Sequence, residues 1–298
     1  MTARLTFVHA LSPLHAGIGQ GIGVIDLPIP REKATGLPFL PGSSLKGTLR
    51  GSCDPDRRKA LFGPEVSEIE PESNYASSVQ FSDQRLVLLP IRSLAGTFAW
   101  VTSPYILHRL LRDMEDVQQK KLAYTIPAMA DTKNCFIPEH DLNSKIAINN
   151  SSSHHVYLED LDLTAKTNPD LKNWVEWIGQ QVFPADKAWQ DMLVERFCLV
   201  HDDVFNFLID TATEITARIK LNERSKTVQD GGLWYEEALP TETILSGIVL
   251  ATPVSKSGMD SEAVFSELSE LMDKTLQLGG KATVGRGMCR VLLGREDV

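Results

Sequence analysis

Residues 11–50, LSPLHAGIGQGIGVIDLPIPREKATGLPFLPGSSLKGTLR, decide most about the fold of this chain. A predicted strand over 5–11 leads into them, and glycines then occupy every second position, from Gly17 and Gly19 through 23. Glycine adopts positive φ and lets a backbone approach a ligand closely. A second turn, rich in glycine and proline, opens a predicted helix over 43–53. The stretch therefore predicts a strand, a ligand-binding loop and a helix.

The predicted helix carries Lys46 and Arg50 four residues apart, so both cations lie on one helical face. Ser43 or Ser44 is its expected N-cap, and the N–H groups at a helix start bind phosphate. Gly47, beside the two cations, lets a ligand come close to the backbone. Most Lys and Arg side chains are simply solvated, but this combination favours contacts to a phosphodiester backbone.

One carboxylate, Asp26, stands beside the loop, followed by a Pro-x-Pro segment. An aspartate near glycine and proline commonly bonds its own backbone in a turn. Beside a phosphodiester, the same carboxylate could hold a divalent cation or help remove the proton of an RNA 2′-hydroxyl for in-line attack. From the residues alone, the turn is the better interpretation.

The C-terminal segment 279–290, GGKATVGRGMCR, has the same character. It contains Lys281, Gly285, Arg286 and Gly287 and no acid, which favours phosphate contacts. Two such loops at opposite ends of a chain usually form one surface, so we expect them to meet in the fold.

The net charge of −9 is unusual for a protein that binds nucleic acid. The charge is segregated, however, because residues 31–59 carry +4, 216–226 carry +3 and 274–295 carry +5. Ordinary clustering would explain this about as well as a basic groove on an acidic body. Two of the three basic segments coincide with glycine-rich loops, which favours the groove.

The composition excludes several classes of protein. The four cysteines, at 53, 135, 198 and 289, are scattered without a CxxC pair, which argues against a zinc site and a disulfide framework. The apolar runs are too short to span a membrane, and the first residues lack the form of a signal peptide. We therefore expect a cytoplasmic protein with no membrane partner.

The remaining pattern predicts an α+β protein with a ferredoxin-like core. Its elements are a short helix over 56–62, a strand over 79–89, a helix from 103 to about 121, an irregular stretch over 126–154, two or three helices over 170–213, a hairpin over 214–239 turning at 229–232, a strand over 243–252, a helix over 261–278 and a strand over 288–293.

These segments resemble the RAMP superfamily of CRISPR-associated RNA-binding proteins. The resemblance rests on GSSLKGTLR and GGKATVGRG, and on five further strings in order: GVIDLPIPRE at 23–32, LFG at 61–63, FSDQRLVLLPIRS at 81–93, FAWVTSP at 98–104 and ERSKTVQDGGLWYEEALP at 223–240. Together they resemble the multi-copy backbone subunit of the type III-B effector complex. The resemblance covers nearly the whole chain and is weakest over 126–215.

The resemblance implies a single RAMP-type domain. We expect a ferredoxin-like or RRM-like core over 1–125 and 243–298, a helical insertion over 126–213, and a protruding β-hairpin thumb over 214–242. It also implies a subunit that binds guide RNA, forms a helical filament with further copies of itself and with other subunits of the type III-B complex, and cleaves the paired single-stranded target RNA.

Residue roles follow from the same resemblance. It makes Asp26 the catalytic residue, with Mg²⁺ or Mn²⁺ as the expected divalent cation. His15 could act as an acid or base, hydrogen-bond to RNA, or serve only the structure. Glu236 and Glu237 are the carboxylates placed near the target strand, and because neighbours on a strand face opposite ways, we expect Glu236 alone to face RNA.

The thumb supplies the last predicted contacts. Arg224 and Lys226 near its tip are predicted to contact phosphates, and Leu233 and Trp234 to act as apolar wedges or packing residues. Two alternatives stay open, a non-catalytic RNA scaffold and a stand-alone endonuclease that processes guide RNA. Asp26 argues against the scaffold, which does not need it.

Overall fold

A computed structural model describes residues 2–19, 21, 25–64, 76–140, 142–150, 153–253 and 258–295. Gly23, the last of the alternating glycines, lies outside the described residues. The helices are α1 (Gly42–Ser52), α2 (Pro55–Phe62), α3 (Pro104–Gln118), α4 (Asp170–Val182), α5 (Lys187–Arg196), α6 (Asp202–Ala212) and α7 (Ser261–Met272). The strands are β1 (Thr2–Ala10), β2 (Phe39–Leu40), β3 (Val79–Phe81), β4 (Gln84–Arg92), β5 (Phe98–Thr102), β6 (Asn134–Pro138), β7 (Ile148–Asn150), β8 (Ser153–Leu158), β9 (Leu161–Asn168), β10 (Phe197–Val200), β11 (Glu214–Leu221), β12 (Val228–Ala238), β13 (Ile244–Ala251), β14 (Leu276–Gln277) and β15 (Met288–Leu293).

Thirteen strands of the described residues form one mixed sheet. Its order is β14-β15-β1-β13-β4-β5-β10-β6-β9-β8-β7, with β2 paired to β4 and β3 paired to β13. β1 lies between β15 and β13 and runs antiparallel to both. The parallel contacts, β5 with β10 and β6 with β9, lie in the other half of the sheet. The protein is therefore a mixed α/β structure built on one large sheet.

Helices cover both faces of this sheet. The neighbouring β1 residues Phe7 and Val8 are fully buried and lie in two different apolar clusters. The cluster of Phe7 includes Trp174 of α4, and the cluster of Val8 includes Leu45 of α1 and Phe265 of α7. Because side chains alternate along a strand, a strand buried on both sides needs helices on both faces.

The predicted helical insertion over 126–213 is wrong in one respect, because the segment contains strands as well as helices. β6 to β10 lie within it and extend the common sheet beyond β5. In β8, Val156 and Leu158 are fully buried while their neighbours along the strand are more exposed. A short strand with one polar face has only two or three apolar residues, which gives too weak a pattern to recognise.

The hairpin is present, but its turn is not at 229–232. β11 and β12 form a separate two-stranded sheet whose turn begins at Asn222, which accepts hydrogen bonds on Oδ1 from the N–H groups of Arg224 and Ser225. The two glycines lie inside β12 instead. Gly231 has φ +68°, beside a register shift between Ile219 and Leu221. Residues 229–232 of β12 thus lie opposite Lys220 alone, an interruption of the ladder that the sequence does not distinguish from a turn.

The C-terminal helix and the strand over 79–89 also differ from prediction. α7 ends at Met272, and the following residues enter the sheet as β14 because they pair with β15. The predicted strand over 79–89 is two strands, β3 and β4, separated at Ser82 and Asp83. Across the described ranges, no helix is long and apolar enough to cross a membrane.

Candidate nucleic-acid interface and active site

The two glycine-rich loops meet beside His15, as predicted. The N–H of Gly280 donates to the His15 carbonyl at 2.8 Å, and the N–H of Gly287 donates to the Pro13 carbonyl at 2.9 Å. Gly279 has φ +70°, and a Cβ there would lie 2.3 Å from the His15 carbonyl oxygen. Glycine is therefore required for this contact between the two ends of the chain.

An open cleft of about 630 Å³ lies where these loops face the start of α1. Its lining consists of small and polar residues together with Leu27: His15, Ala16, Gly17, Gly19, Leu27, Ser43, Ser44, Gly47, Thr48, Gly279, Gly280 and Lys281. The fold thus brings five predicted site residues to one surface, namely His15, Gly17, Gly19, Ser43 and Lys281.

The first turn of α1 borders this cleft. The expected serine cap is wrong, because the helix begins at Gly42 after Pro41 and has no side-chain cap. Asp83, between β3 and β4, accepts a hydrogen bond on Oδ1 from the N–H of Gly42 at 2.9 Å. Ser43 is exposed, so the positive end of the helix dipole faces the cleft, where it would attract an anion.

Asp26 is exposed and is held against the hairpin. Its Oδ2 accepts a hydrogen bond from the N–H of Tyr235 at 2.7 Å. The next residue, Leu27, donates its N–H to the carbonyl of Tyr235 and accepts from the N–H of Glu237, both at 3.0 Å. The carboxylate therefore bonds a residue of β12, while the carbonyl of Asp26 accepts a local hydrogen bond from the N–H of Gly21 at 2.9 Å.

Glu236 is a buried structural ion, only 2% exposed. Its carboxylate accepts hydrogen bonds from Lys281 Nζ at 2.7 Å, Trp234 Nε1 at 2.8 Å and Arg218 Nε at 3.3 Å. Burial by itself would raise the pKa of Glu236, but the bonds from Lys281 and Trp234 outweigh it and lower the pKa to about 2. The ionised carboxylate joins the hairpin to the C-terminal loop.

Glu237 is equally buried but has different partners. Its carboxylate accepts from the N–H of Ile29 at 3.0 Å and from Arg31 Nη2 at 2.7 Å. The two neighbouring glutamates do face opposite ways, as expected for a strand. Each side is covered, however, by the segment after Asp26 or by the C-terminal loop, so in this structure neither carboxylate is exposed.

His15 is buried yet borders the cleft. Its Nδ1 lies 2.6 Å from the carbonyl oxygen of Glu237, and because a carbonyl oxygen only accepts, Nδ1 carries the proton of this bond. Nε2 lies on the side of Gly17, where an added Cβ would be 2.8 Å from it. The glycine at 17 therefore leaves room at the second ring nitrogen.

Three predicted phosphate contacts bind the protein's own chain instead. Lys46 donates to Ser77 Oγ at 2.7 Å, and burial together with the charge of Arg50 lowers the pKa of Lys46. Arg50 donates to the carbonyl of Gly63 at 2.8 Å, at the end of α2. Arg286 is 6% exposed and donates to Thr216 Oγ1 of β11 at 2.9 Å. The cleft lining includes none of these three cations.

The predicted thumb residues lie on two faces of the hairpin. Leu233 is 53% exposed, whereas Trp234 points the other way and donates to Glu236. Arg224 and Lys226 are exposed at the turn. In the C-terminal loop, Gly285 and Gly287 are outside the cleft lining.

Sequence reasoning missed the residues that hold Asp26 in place. Tyr235 supplies the N–H that binds its carboxylate, Arg218 supports Glu236, and Arg31 supports Glu237. These contacts join segments of chain that are far apart, and no local spacing predicts them. The alternation of the hairpin strands was the one available signal, because it places Tyr235 on the opposite face of β12 from Trp234 and Glu236.

The described residues offer few oxygen ligands for a divalent cation. Among the residues that the structure describes, no group of three or more His, Cys, Asp or Glu side chains could hold a metal ion. Asp26 offers one carboxylate, and Glu236 and Glu237 are occupied. The described residues do not form a metal site by themselves, because hard cations take six or more oxygen ligands.

The chain is similar over its length to known proteins. The model of the RAMP superfamily matches residues 7–290. The chain is 34% identical over 300 residues to the CRISPR system Cmr endoribonuclease Cmr4 of Pyrococcus furiosus, across 98% of this chain and 96% of that protein. The crystal structure of oligomeric Cmr4 from the same organism matches with a TM-score of 0.73 at 28% identity, covering 98% of each chain. A chain of the type III-B Cmr-beta complex bound to cognate target RNA shares the fold, with a TM-score of 0.74 at 21% identity and coverage of 98% and 97%.

Proposed function

This chain belongs to the RAMP superfamily, and we propose that it is the RNA-cleaving backbone subunit of a type III-B CRISPR effector complex. The near full-length similarity to a Cmr endoribonuclease supports cleavage of RNA. The observation that carries the proposal is the exposed carboxylate of Asp26, held by the N–H of Tyr235 beside a glycine-lined cleft. A protein that only scaffolds RNA has no need of such a group.

We read the central strands as a ferredoxin-like core. Strands β1, β4, β13 and β15 lie side by side in the order β15-β1-β13-β4, each antiparallel to its neighbour. α1 lies between β1 and β4 in the chain, and α7 lies between β13 and β15. This order supports the β-α-β-β-α-β pattern with 126–213 and the thumb as additions.

Guide RNA would bind along the cleft. Gly17 and Gly19 admit a backbone, exposed Ser43 in the first turn of α1 can donate to phosphate, and Lys281 adds a charge. Such contacts read the shape and charge of RNA, while base pairing to the guide supplies sequence specificity. Gly285 and Gly287 would shape the adjoining loop. The role of Lys46, Arg50 and Arg286 would be indirect, because they stabilise the protein segments around the cleft and bind no phosphate themselves.

Asp26 would act on the target strand by positioned proton removal. In this scheme its carboxylate takes the proton of an RNA 2′-hydroxyl, whose oxygen attacks the adjacent phosphorus in line with the departing 5′-oxygen. The products are a 2′,3′-cyclic phosphate and a 5′-hydroxyl end. The bond from Tyr235 N–H to Oδ2 fixes the orientation of the carboxylate. A group that is already oriented towards the reacting proton raises the reaction rate, because less entropy is lost in reaching the transition state.

His15 and Glu236 would support this reaction in different ways. His15 presents Nε2 next to Gly17 in the cleft, where the neutral ring can accept a hydrogen bond from RNA. To supply the proton that the leaving oxygen takes, the ring would first have to carry a second proton on Nε2. Glu236, with a pKa of about 2, stays ionised and is a poor proton carrier near neutral pH. Its proposed role is to hold β12, and therefore Tyr235, in place.

The hairpin would be the thumb that meets the guide–target duplex. Exposed Leu233 can enter between bases, at a cost of a few kcal/mol of stacking that apolar contact offsets. Trp234 would pack behind it, because its indole is bound to Glu236. Arg224 and Lys226 at the exposed turn can contact phosphates of the same duplex.

A divalent cation, Mg²⁺ or Mn²⁺, remains a prediction. Asp26 could supply one ligand, and the others would have to come from RNA phosphates and water. Chelation by EDTA followed by titration of Mg²⁺ or Mn²⁺ tests this separately from the role of Asp26. Unchanged cleavage in EDTA would remove the cation from the proposal and leave the aspartate.

The proposal is tested with Asp26→Asn in an effector complex reassembled with guide RNA and its other subunits. The variant removes charge without changing volume, so we expect cleavage of target RNA to fall at least about 100-fold while assembly and target affinity stay unchanged. Asp116→Asn, an exposed aspartate of α3, is the matched control and should cleave normally.

The outcomes separate the alternatives. Cleavage at the normal rate by Asp26→Asn would end the catalytic assignment of Asp26 and place the cutting residue elsewhere in this chain or in another subunit. Cleavage of precursor guide RNA by the isolated chain, without partners or target, would indicate a processing endonuclease. A product with a 3′-hydroxyl end would exclude attack by the 2′-oxygen.

A further inference from the structure

A serine, a histidine and an aspartate are hydrogen-bonded in series on the paired strands β8 and β9. Nε2 of His155 lies 2.8 Å from Oγ of Ser153, and Nδ1 of the same ring lies 2.6 Å from Oδ1 of Asp162. Five strands separate β9 from β1 in the sheet, and the loop after β1 lines the cleft. The three side chains, which we call the strand triad, therefore form a cluster apart from the candidate RNA site.

The pairing of β8 with β9 explains how these three residues come together. Ser153 and His155 are two positions apart on β8, so their side chains share one face of the sheet. Asp162 lies opposite Tyr157, and it is therefore the diagonal neighbour of His155 on the same face. The other face of β8 is anchored in the core through Val156. Side chains on such paired strands are positioned more precisely than side chains on loops.

The hydrogen bonds of the strand triad show which ring nitrogen carries the proton. A carboxylate only accepts, so the proton of the bond to Asp162 belongs to Nδ1 of His155. In the neutral ring Nε2 is then an acceptor, and the hydroxyl of Ser153 donates to it. A serine nucleophile, a general base and an orienting carboxylate act in this order in acyl transfer, and the arrangement occurs on unrelated folds.

A cation lies beside the strand triad. The register pairs His155 with Thr164, and continuing it by two residues places Lys166 opposite Ser153 on the same face. Lys166 is exposed, so its ammonium group can approach a negative charge that develops beside the serine. Asp131 also feels the charge of Lys166, but that carboxylate accepts hydrogen bonds from its own loop. A positioned cation stabilises the oxyanion of a tetrahedral intermediate.

We propose that Ser153 is the nucleophile of a second active site, which hydrolyses small carboxylic esters. His155 is the general base of this site, Asp162 orients the ring, and Lys166 stabilises the oxyanion. Asp162 is 53% exposed, so the site opens to solvent and admits short acyl groups. The ring of Tyr157, whose centroid is 6.1 Å from that of His155, gives such a group an apolar surface. This activity goes beyond cleavage of RNA and does not depend on it.

The reaction has two balanced steps. Oγ of Ser153 bonds to the carbonyl carbon of the ester while its proton passes to Nε2 of His155. The bond from this carbon to the alcohol oxygen then breaks, and the alcohol leaves with the proton from Nε2. In the second step water attacks the acyl-serine, Nε2 takes a proton from the water and returns it to Oγ, and the carboxylic acid departs. Ester and water thus give acid and alcohol, and the protein is unchanged.

A fluorophosphonate probe tests the nucleophile directly on the full chain. The probe reacts with a serine that a general base activates, forming a bond from Oγ to phosphorus as fluoride leaves. Peptide mass spectrometry should locate the probe on Ser153, and Ser153→Ala should not be labelled. Ser52→Ala is the matched control, because Ser52 is an exposed serine whose hydroxyl donates to the carbonyl of Thr48. This control should be labelled like wild type.

Asp162→Asn tests the orienting role with almost no change in volume. An amide can donate to Nδ1 of His155, which favours the tautomer that has its proton on Nε2 and cannot act as a base. We expect labelling of Ser153 to be at least about tenfold slower in this variant, with the circular dichroism of wild type. Hydrolysis of p-nitrophenyl acetate should fall by at least about tenfold in Ser153→Ala as well.

Three outcomes would overturn the esterase proposal. An unlabelled Ser153 in a chain with native circular dichroism would show that this serine is not a nucleophile. Equal labelling rates in Asp162→Asn and wild type would remove the carboxylate from the mechanism. Hydrolysis of p-nitrophenyl acetate at the wild-type rate by Ser153→Ala would mean that the imidazole of His155 acts alone.

These assays contain neither guide nor target RNA, so their results are independent of the role of Asp26. Ser153→Ala should also cleave target RNA at the normal rate in the reassembled complex. A failure of the cleavage proposal would therefore leave the labelling of Ser153 unchanged, and a failure of the esterase proposal would leave the cleavage of RNA unchanged.

Discussion

Replacing Glu236 by glutamine tests whether one buried charge joins the hairpin to the C-terminal loop. The glutamate accepts hydrogen bonds from Lys281, Trp234 and Arg218, and glutamine keeps its shape while removing its charge. We expect Glu236→Gln to lower the free energy of unfolding at neutral pH. The loosened β12 should also slow target cleavage, because its residue Tyr235 holds Asp26.

The size of the effect follows from the pKa of Glu236. Folding lowers the pKa of this carboxyl from the ordinary 4.5 to about 2. At about 1.4 kcal/mol per pKa unit, the ionised carboxylate stabilises the folded state by about 3 kcal/mol. Lys281 and Arg218 are 31% and 33% exposed, so solvent screens part of their attraction. We therefore expect Glu236→Gln to cost about 2 to 3 kcal/mol, near the lower end for breaking a buried ion pair.

The pH dependence has a definite sign. The pKa of Glu236 is lower in the folded state than in the unfolded state, so its contribution is complete above about pH 4.5 and disappears as pH falls to about 2. The difference in unfolding free energy between wild type and Glu236→Gln should therefore shrink steadily over that range. Urea unfolding of both proteins at neutral pH and at steps between about pH 5 and about pH 2.5 measures it.

A control separates this charge from charges in general. Glu262 is 79% exposed and lies 3.6 Å from Arg4, so Glu262→Gln should have little effect at any pH, as is usual for exposed ion pairs. A Glu236→Gln deficit of the same size at every pH would refute the reasoning, because it would show a loss of packing in place of a loss of charge.

Three further substitutions test the loops and the cleft. Gly287→Ala should destabilise the fold far more than Gly285→Ala in thermal unfolding, because both have positive φ but only at Gly287 would a Cβ lie 2.0 Å from the Leu278 carbonyl oxygen. Gly47→Ala has open space and should raise stability by up to about 1 kcal/mol; if the cleft holds RNA, the added methyl should weaken RNA binding in a filter assay. Lys281→Met should reduce the slope of log affinity against log salt by about 0.7 if its charge contacts a single-strand phosphate, and an unchanged slope would confine Lys281 to its bond with Glu236.

Local chemistry made the main elements predictable from the sequence. The strand before the loop, α1, the hairpin and the meeting of the two glycine-rich ends were all expected and are present. Each depends on properties that act over a few residues, such as strand alternation, helix propensity and the conformational freedom of glycine. The same local signals failed for β6 to β9, which are half polar, and for β10, a four-residue apolar run that a buried helix could equally contain. They also failed for the double glycine, which lies at a register shift within β12.

The tertiary structure decided which charged side chains face the cleft. In the sequence, three other cations looked equivalent to Lys281. In the fold, Lys46 binds Ser77, Arg50 binds the end of α2, and Arg286 binds Thr216 at the base of the hairpin. Helix propensity and charge pattern do not encode these partners, because an ion pair depends on distances that exist only after distant segments pack together.

Asp26 also shows the difference between what the sequence indicates and what the fold decides. Its sequence context allowed a simple turn, and the resemblance to a family made it catalytic, but neither indicated what would hold its carboxylate. The fold brings Tyr235, 209 residues away, within 2.7 Å of Oδ2 and buries the next two residues of β12, Glu236 and Glu237. The sequence by itself thus determined that an acid stands beside a glycine-rich loop, and only long-range packing determined its orientation, since a side chain takes its position from neighbours that the fold supplies.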